Sequence, residues 1–168
     1  MKIQNMITTS LLLAMGFVLH SIVPAIFGMK FDLMLTFMFI AIILQPTFKN
    51  TLLTGMLTGI LTAMTTTFPG GQLPNFIEKI ITALIVYGLI IMMQKIKSDS
   101  LKATVIGCVG TLFSGMLFLS IALIIVGLPA PLSVLVMSIV IPTAVTNGFL
   151  TLIVYRASLL ATRGKVTL

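Results

Sequence analysis

The chain has 168 residues, of which 58% are hydrophobic and only 8% are charged. A soluble domain carries roughly a quarter charged residues, so ten basic and three acidic residues are too few to cover a water-facing surface. Because the mean hydropathy is +1.23, most side chains must meet lipid rather than water. The composition excludes a soluble globular protein and predicts an integral membrane protein in a lipid bilayer.

Several classes of chemistry are not indicated by the sequence. The net charge of +7 does not predict nucleic-acid binding, because the basic residues are spread between apolar runs and form no basic face. The single histidine, His20, has no Cys, Asp or Glu at helical spacing, so no metal site is predicted. The only Gly-Lys pair, Gly164-Lys165, lacks the upstream glycine of a phosphate-binding loop. No nucleophile stands with a base, so we expect neither catalytic residues nor an enzyme.

Six apolar segments follow one another along the chain, each bounded by turn-forming residues. They are residues 6–27, 31–45, 51–68, 76–94, 103–127 and 132–155. The second is short for a hydrocarbon core about 30 Å thick, so we expect it to be tilted or buried among the others. Because no linker is long enough to separate two domains, residues 1–168 are predicted to form one all-α membrane domain, a bundle of six transmembrane helices.

The distribution of basic residues predicts the orientation of the bundle, since lysine and arginine accumulate in cytoplasmic loops. Six crossings place eight of the ten basic residues on one side of the membrane. That side holds Lys2, Lys49, Lys95, Lys97, Lys102, Arg156, Arg163 and Lys165, and the other holds Lys30 and Lys79. We therefore expect both termini in the cytoplasm.

Small residues recur at four-residue spacing on three of the predicted helices, a pattern that lets helix backbones approach closely in lipid. The sets are Thr51, Gly55, Gly59 and Ala63 on the third helix, Ala103, Gly107, Thr111 and Gly115 on the fifth, and Ser10 and Ala14 on the first. The third and fifth helices are predicted to pack inside the bundle through these residues. The pair on the first helix fits either internal packing or docking of a separate membrane protein.

Polar side chains collect in and around the outer half of the predicted bundle, and we expect them to converge on one outward-facing pocket. They are His20, Lys30, Asp32, Gln72, Asn75, Glu78, Lys79 and Asn147. Structural roles are open for several of them. Asp32 fits an N-cap of the second helix, Asn75 with Glu78 fits a capping box, and His20 and Asn147 fit hydrogen-bonded contacts between helices.

The charges of this predicted pocket suit a zwitterion. Its two basic and two acidic residues stand beside aromatic residues, namely Phe27, Phe31, Phe68 and Phe76. A lysine would meet a carboxylate, an acid would meet an ammonium, and an aromatic wall would meet an apolar body. An amino acid with an apolar or aromatic side chain has all three of these groups.

The loop sequences carry a resemblance to a known family. Residues 65–75 read TTTFPGGQLPN and residues 28–35 read GMKFDLML, and the similarity continues through 114–120, 126–129 and 140–147. In these strings, and over nearly the whole chain, the sequence resembles the bacterial tryptophan transport proteins, which are regarded as S-components of energy-coupling-factor transporters. Phe31 and Ile80 stand where that family commonly has proline.

The resemblance implies a bundle of S-component type in the bacterial cell membrane that captures L-tryptophan on the outer side. It also implies a transmembrane coupling subunit and two cytoplasmic ATPases as partners, so that ATP is used by the partners and this chain holds no cofactor. In such S-components, small residues on the first helix contact the coupling subunit, and Ser10 and Ala14 match that pattern. The alternatives are an S-component for another nutrient, such as a vitamin, and a self-contained carrier of a small solute.

Taken together, these observations assign hypothetical roles to eight polar residues. We expect the amino-acid backbone of tryptophan to be bound through Lys30, Asp32, Glu78 and Lys79. The remaining four, His20, Gln72, Asn75 and Asn147, are candidates for the indole N–H or for support of the pocket.

Overall fold

A computed structural model describes residues 3–26, 28–96 and 98–161, with side chains from residue 6 to residue 160 of these ranges. Lys2, Lys97, Arg163 and Lys165, which contribute to the predicted orientation, lie outside the described residues. Phe27, a predicted wall residue, also lies outside them.

The described chain forms six helices, as the apolar segments predict. They are α1 (Ile3–Ile22), α2 (Met34–Leu44), α3 (Phe48–Thr65), α4 (Gln72–Met92), α5 (Asp99–Ile125) and a sixth helix built from α6 (Leu132–Leu135), a π-helical segment (Val136–Val140) and α7 (Ile141–Ala161). A 3-10 turn, Met93–Lys95, extends α4. A short antiparallel hairpin, β1 (Ala25–Ile26) and β2 (Met29–Lys30), connects α1 to α2.

Three of the helices are long and apolar enough to cross a membrane: α4 with its 3-10 turn, α5 and the sixth helix. α1 and α2 are shorter apolar helices. At 1.5 Å per residue, the 11 residues of α2 rise only about 16 Å. All its residues from Met34 to Ile43 are buried, and it packs against α1, α3, α4, α5 and α7. The second helix is therefore the buried centre of the bundle, in agreement with its short apolar run.

The start of α4 and the N-cap residues of α2 and α4 differ from those suggested by the sequence. α4 begins at Gln72 rather than Phe76, because Pro74 is tolerated in a first turn, where its missing N–H has no acceptor to lose. The predicted capping box is wrong, since Gly71 is the N-cap and the Asn75 side chain donates to the Gly71 carbonyl. Asp32 is not the N-cap of α2, because Leu33 occupies that position without a side-chain cap.

The small-residue sets on α3 and α5 pack inside the bundle as predicted. A Cβ atom added at Gly55 would lie 2.8 Å from the Ala83 Cβ, so α3 approaches α4 closely. A Cβ at Gly107 would lie 2.7 Å from the carbonyl oxygen of Asn147, and one at Gly115 would lie 2.6 Å from Val140 Cγ1. The second set therefore brings α5 against the sixth helix.

Replacing Gly107 with alanine is expected to lower the free energy of unfolding by about 1–3 kcal/mol, because the added methyl must displace the backbone of α7. Gly88 in α4 is the matched control, since a Cβ there meets nothing within 4 Å. Gly88→Ala is expected to leave stability unchanged or raise it by about 0.5–1 kcal/mol through a better helix former. Unfolding of both variants in mixed micelles measures the difference. Equal losses in both would show that the close approach of α5 and α7 contributes little.

Candidate functional site

One end of the bundle contains a cavity of about 570 Å³, including the part that opens to the outside. It lies where α1 and α3 end and α2 and α4 begin, and the middle of α5 and the π-helical segment close its far side. Clefts between the helices of a bundle are common places for small molecules to bind.

Six of the eight polar residues selected from the sequence line this cavity: His20, Lys30, Asp32, Asn75, Glu78 and Lys79. The other two do not. Gln72 is exposed at the start of α4, and Asn147 is fully buried outside the lining. The structure thus brings together side chains from α1, the hairpin, the loop before α2, and α4.

Lys79 is the centre of a buried ionic cluster. Its Nζ lies 2.6 Å from Asp32 Oδ2 and also contacts Glu78 Oε1. Along the chain, Lys30 is close to Asp32 and Glu78 is next to Lys79. In the structure, Lys79 bridges both carboxylates, because its face of α4 turns inward towards the loop before α2. Lys30, on the hairpin, forms no ion pair with any described residue.

Hydroxyl groups complete the shell of Glu78. Its Oε2 accepts hydrogen bonds from Ser114 Oγ at 2.9 Å and from Thr82 Oγ1 at 3.2 Å. Glu78 is fully buried, so these donors and the Lys79 ammonium replace water around the carboxylate. All of its contacts therefore hold it within α4 and against α5.

The formal charges of the ionic cluster are unequal. With all three groups ionised, Asp32 and Glu78 outweigh Lys79 by one negative charge. Burial raises the pKa of Asp32, but the charges of Lys79 and His20 and the hydrogen bonds to the carboxylate together lower it by more, so the pKa lies below its usual range and Asp32 is ionised at neutral pH. An uncompensated buried charge is costly, and the cluster therefore favours a cation at its free edge.

That free edge lies at Asp32 Oδ1. This oxygen is buried and has no hydrogen-bond partner among the described residues. His20 Nδ1 lies 3.5 Å from it and is likewise buried without a partner in the described part of the chain. Two unsatisfied polar atoms thus lie side by side on two residues that line the cavity.

Asn147 supports the site from beneath. Its Nδ2 donates to the Asp32 carbonyl at 2.9 Å and to Thr111 Oγ1 at 3.0 Å, and its Oδ1 accepts from Thr36 Oγ1 at 3.2 Å. Asn147 therefore joins α7, α5 and α2, which is the interhelical role left open by the sequence. It fixes the backbone that carries the Asp32 carboxylate.

The opposite wall of the cavity is apolar and partly aromatic. Phe68 and Phe118 pack edge to face with ring centroids 5.4 Å apart, and Ile139 and Val140 of the π-helical segment lie next to them. π-helical turns are frequent at functional sites. Phe31 packs against this cluster without lining the cavity, and Phe76 is not a lining residue.

Other lining residues were not selected from the sequence as site residues, among them Thr111, Ser114, Phe118 and Thr143. The first three recur at helical spacing on one face of α5. That spacing can be recognised in the sequence, but Thr111 also belongs to a small-residue packing set.

Among the described residues, no three His, Cys, Asp or Glu side chains cluster so as to hold a metal ion. That this chain carries no metal or cofactor stays a prediction.

The fold and the site together define a multi-pass helical membrane protein with a charged pocket between its helices. The chain matches the family described as "Tryptophan transporter TrpP" over residues 2–163, and it belongs to that family. The resemblance found in the loop sequences is thereby confirmed. The protein is a transport protein of a bacterial membrane family and not an enzyme.

Three curated relatives share this similarity, and each is named a probable tryptophan transport protein. The protein of Clostridium perfringens strain 13 is 45% identical over 157 residues, which cover 88% of this chain and 86% of the relative. The protein of Bacillus subtilis strain 168 is 42% identical over 156 residues, with coverage of 92% and 90%. That of Clostridium acetobutylicum is 41% identical over 158 residues, with coverage of 94% and 92%. No solved structure matches the chain.

Proposed function

We propose that this chain is the substrate-binding membrane subunit for tryptophan uptake, an S-component of an energy-coupling-factor transporter. The observation that carries the proposal is the buried Asp32–Lys79–Glu78 cluster, which has an unsatisfied carboxylate oxygen and faces an aromatic wall. L-Tryptophan combines an ammonium, a carboxylate and an apolar aromatic body. The names of its relatives favour the same ligand.

The two charged groups of the zwitterion bind to two different residues of the pocket. The ammonium binds at Asp32 Oδ1, where it supplies the positive charge that the cluster lacks. The carboxylate binds at Lys30, which lines the cavity and has no ion pair in the described part of the chain. The indole ring packs against Phe68 and Phe118, since aromatic contacts add to burial of the apolar surface. Lys79, with Glu78, acts as the internal counter-ion.

The remaining polar residues have supporting roles in this proposal. Asn75 lines the cavity beside Glu78 and is a candidate acceptor for the indole N–H through its side-chain oxygen. Asn147 holds the Asp32 backbone. Gln72, at the exposed start of α4, stands outside the cavity lining and is left without a role in binding.

The coupling surface is proposed to lie on α1. Ser10 and Ala14 are exposed on that helix, beside the exposed apolar side chains of Ile7 and Leu11. Small residues on an exposed helix face allow another membrane helix to approach closely. The partners are a transmembrane coupling subunit and two cytoplasmic ATPases, which supply the ATP chemistry. The bias of basic residues favours an orientation with both termini on the side of those ATPases.

Replacing both Ser10 and Ala14 with leucine is expected to lower tryptophan uptake at least about tenfold while binding of tryptophan stays within twofold, because the leucines obstruct only the docking face. Ala157→Leu is the matched control, since Ala157 is also exposed but lies on α7. Uptake and co-purification of the coupling subunit are measured for each variant. Loss of binding in the double variant would assign these residues to folding instead.

Proteoliposomes test whether transport by this chain requires the coupling subunit and the ATPases. Vesicles with the chain, the coupling subunit and both ATPases should accumulate tryptophan only with internal ATP, and vesicles with the chain alone should not. Accumulation by the chain alone would contradict the S-component role and favour a self-contained carrier.

A thermal-shift screen with amino acids and vitamins tests the ligand, because a ligand stabilises the state that binds it. A shift with a vitamin and none with tryptophan would contradict the proposed substrate.

A further inference from the structure

His20 is a buried titratable group of the cavity lining that the proposed function leaves without a role. It lies near the end of α1, is only 6% exposed, and has its Nδ1 atom 3.5 Å from Asp32 Oδ1. Neither atom has a hydrogen-bond partner among the described residues. Leaving a buried polar atom unsatisfied costs about 1–3 kcal/mol, so a side-by-side pair of such atoms at a cavity wall indicates a missing donor.

The spacing of the two atoms identifies the kind of donor. A distance of 3.5 Å is too long for a good direct hydrogen bond between imidazole and carboxylate. A nitrogen atom placed between them can lie about 2.8 Å from both, which is the usual length of a charge-assisted hydrogen bond. An ionised carboxylate only accepts, and the unprotonated nitrogen of a neutral imidazole also accepts. When the proton of the neutral imidazole is on Nε2, the missing group must therefore donate at least two hydrogens.

We propose that His20 is a specificity-determining residue for the α-amino group of the substrate. The Nδ1 atom of its neutral imidazole accepts one ammonium N–H, and Asp32 Oδ1 accepts a second. This inference rests on the proposed function and deepens it, because it limits the ligand class to molecules with a free, protonated amine. The ammonium also supplies the positive charge that the Asp32–Lys79–Glu78 cluster lacks.

The protonation state of His20 controls this arrangement. The charged groups that face the imidazole are Asp32 from the loop before α2, Lys79 from α4 and Lys30 from the hairpin. A protonated imidazole offers no acceptor and repels an ammonium. Binding of an amine should therefore weaken when the pH falls into the range in which His20 takes up a proton.

A comparison of three ligands separates this role from a merely structural one. Tryptamine keeps the ammonium of tryptophan and lacks the carboxylate, whereas indole-3-propionate keeps the carboxylate and lacks the ammonium. His20→Leu should weaken binding of L-tryptophan and tryptamine by roughly tenfold or more, the effect of one charge-assisted hydrogen bond, and should change binding of indole-3-propionate less than twofold. His20→Asn, which can place an amide oxygen near the position of Nδ1, should retain most of the affinity for both amines.

A pH series provides the second measurement. The wild type should lose tryptophan affinity as the pH falls into the acidic range in which His20 takes up a proton, and His20→Asn should lose far less. Equal weakening of all three ligands by His20→Leu, or the same pH profile in His20→Asn and the wild type, would overturn the role of His20. Absence of tryptophan binding to the wild type would instead overturn the proposed function, so the two failures are distinguishable. If indole-3-propionate binds the wild type too weakly to measure, the pH profiles decide.

Discussion

Replacing Asp32 with asparagine is expected to weaken tryptophan binding about 100-fold, which corresponds to about 2.7 kcal/mol. The substitution removes the negative charge at the free edge of the ionic cluster, where the substrate ammonium is proposed to bind. Asparagine has nearly the same shape, and the Asp32 carbonyl that accepts from Asn147 is unchanged. The loss therefore reflects the charge and its hydrogen bond, and not a rearranged loop.

Asp99→Asn is the matched control for this experiment. Asp99 begins α5 and pairs with Lys102 at 2.9 Å, away from the cavity lining. Its replacement should leave tryptophan affinity within twofold of the wild type. Isothermal titration of the purified variants in detergent measures all three affinities. An Asp32→Asn variant that is folded and binds tryptophan within threefold of the wild type would rule out Asp32 as the ammonium partner.

Replacing Lys79 with methionine is expected to lower the free energy of unfolding by about 3–5 kcal/mol, the cost of breaking a buried ion pair from one side. Methionine keeps most of the apolar stem but leaves Asp32 and Glu78 without their shared cation. Glu78 is fully buried, so water cannot easily replace the ammonium. The hydroxyls of Thr82 and Ser114 remain, but they carry no charge.

Lys95→Met is the matched control, because Lys95 is exposed in the 3-10 turn after α4, and its stability should change by less than about 0.5 kcal/mol. Equilibrium unfolding in mixed micelles compares the variants. A triple variant, Asp32→Asn, Glu78→Gln and Lys79→Met, should regain part of the lost stability, since it leaves no unpaired charge. Equal stability of Lys79→Met and the wild type would show that the cluster is not the buried network described above.

Much of the fold is readable from the sequence, because hydropathy alone separates the six helices. The shortness of the second apolar run also predicts its burial, as all-round contact of α2 with its neighbours shows. The hairpin between α1 and α2 is not predictable in this way, because Met29–Lys30 lies next to an apolar run and its pairing depends on Ala25–Ile26. The start of α4 was misplaced because Pro74 signals a turn and a first helical turn equally well.

The candidate site is only partly predictable, for a physical reason. Charged residues in a membrane protein are rare enough to stand out, and six of the selected polar residues do line the cavity. Their partners depend on tertiary packing. Glu78 and Lys79 are adjacent in sequence, yet the contact of Lys79 with Asp32 requires α4 to face the loop before α2. In the sequence, Thr111 and Ser114 cannot be distinguished from small residues that serve only to let helices pack closely.

The most direct measurement is a titration of the purified chain with L-tryptophan in detergent, followed by the intrinsic fluorescence of the ligand. The chain contains no tryptophan, so the whole indole signal comes from the ligand. We predict saturable binding of L-tryptophan that neither phenylalanine nor histidine displaces. Absence of binding by any aromatic amino acid would contradict the proposal that this pocket serves tryptophan uptake.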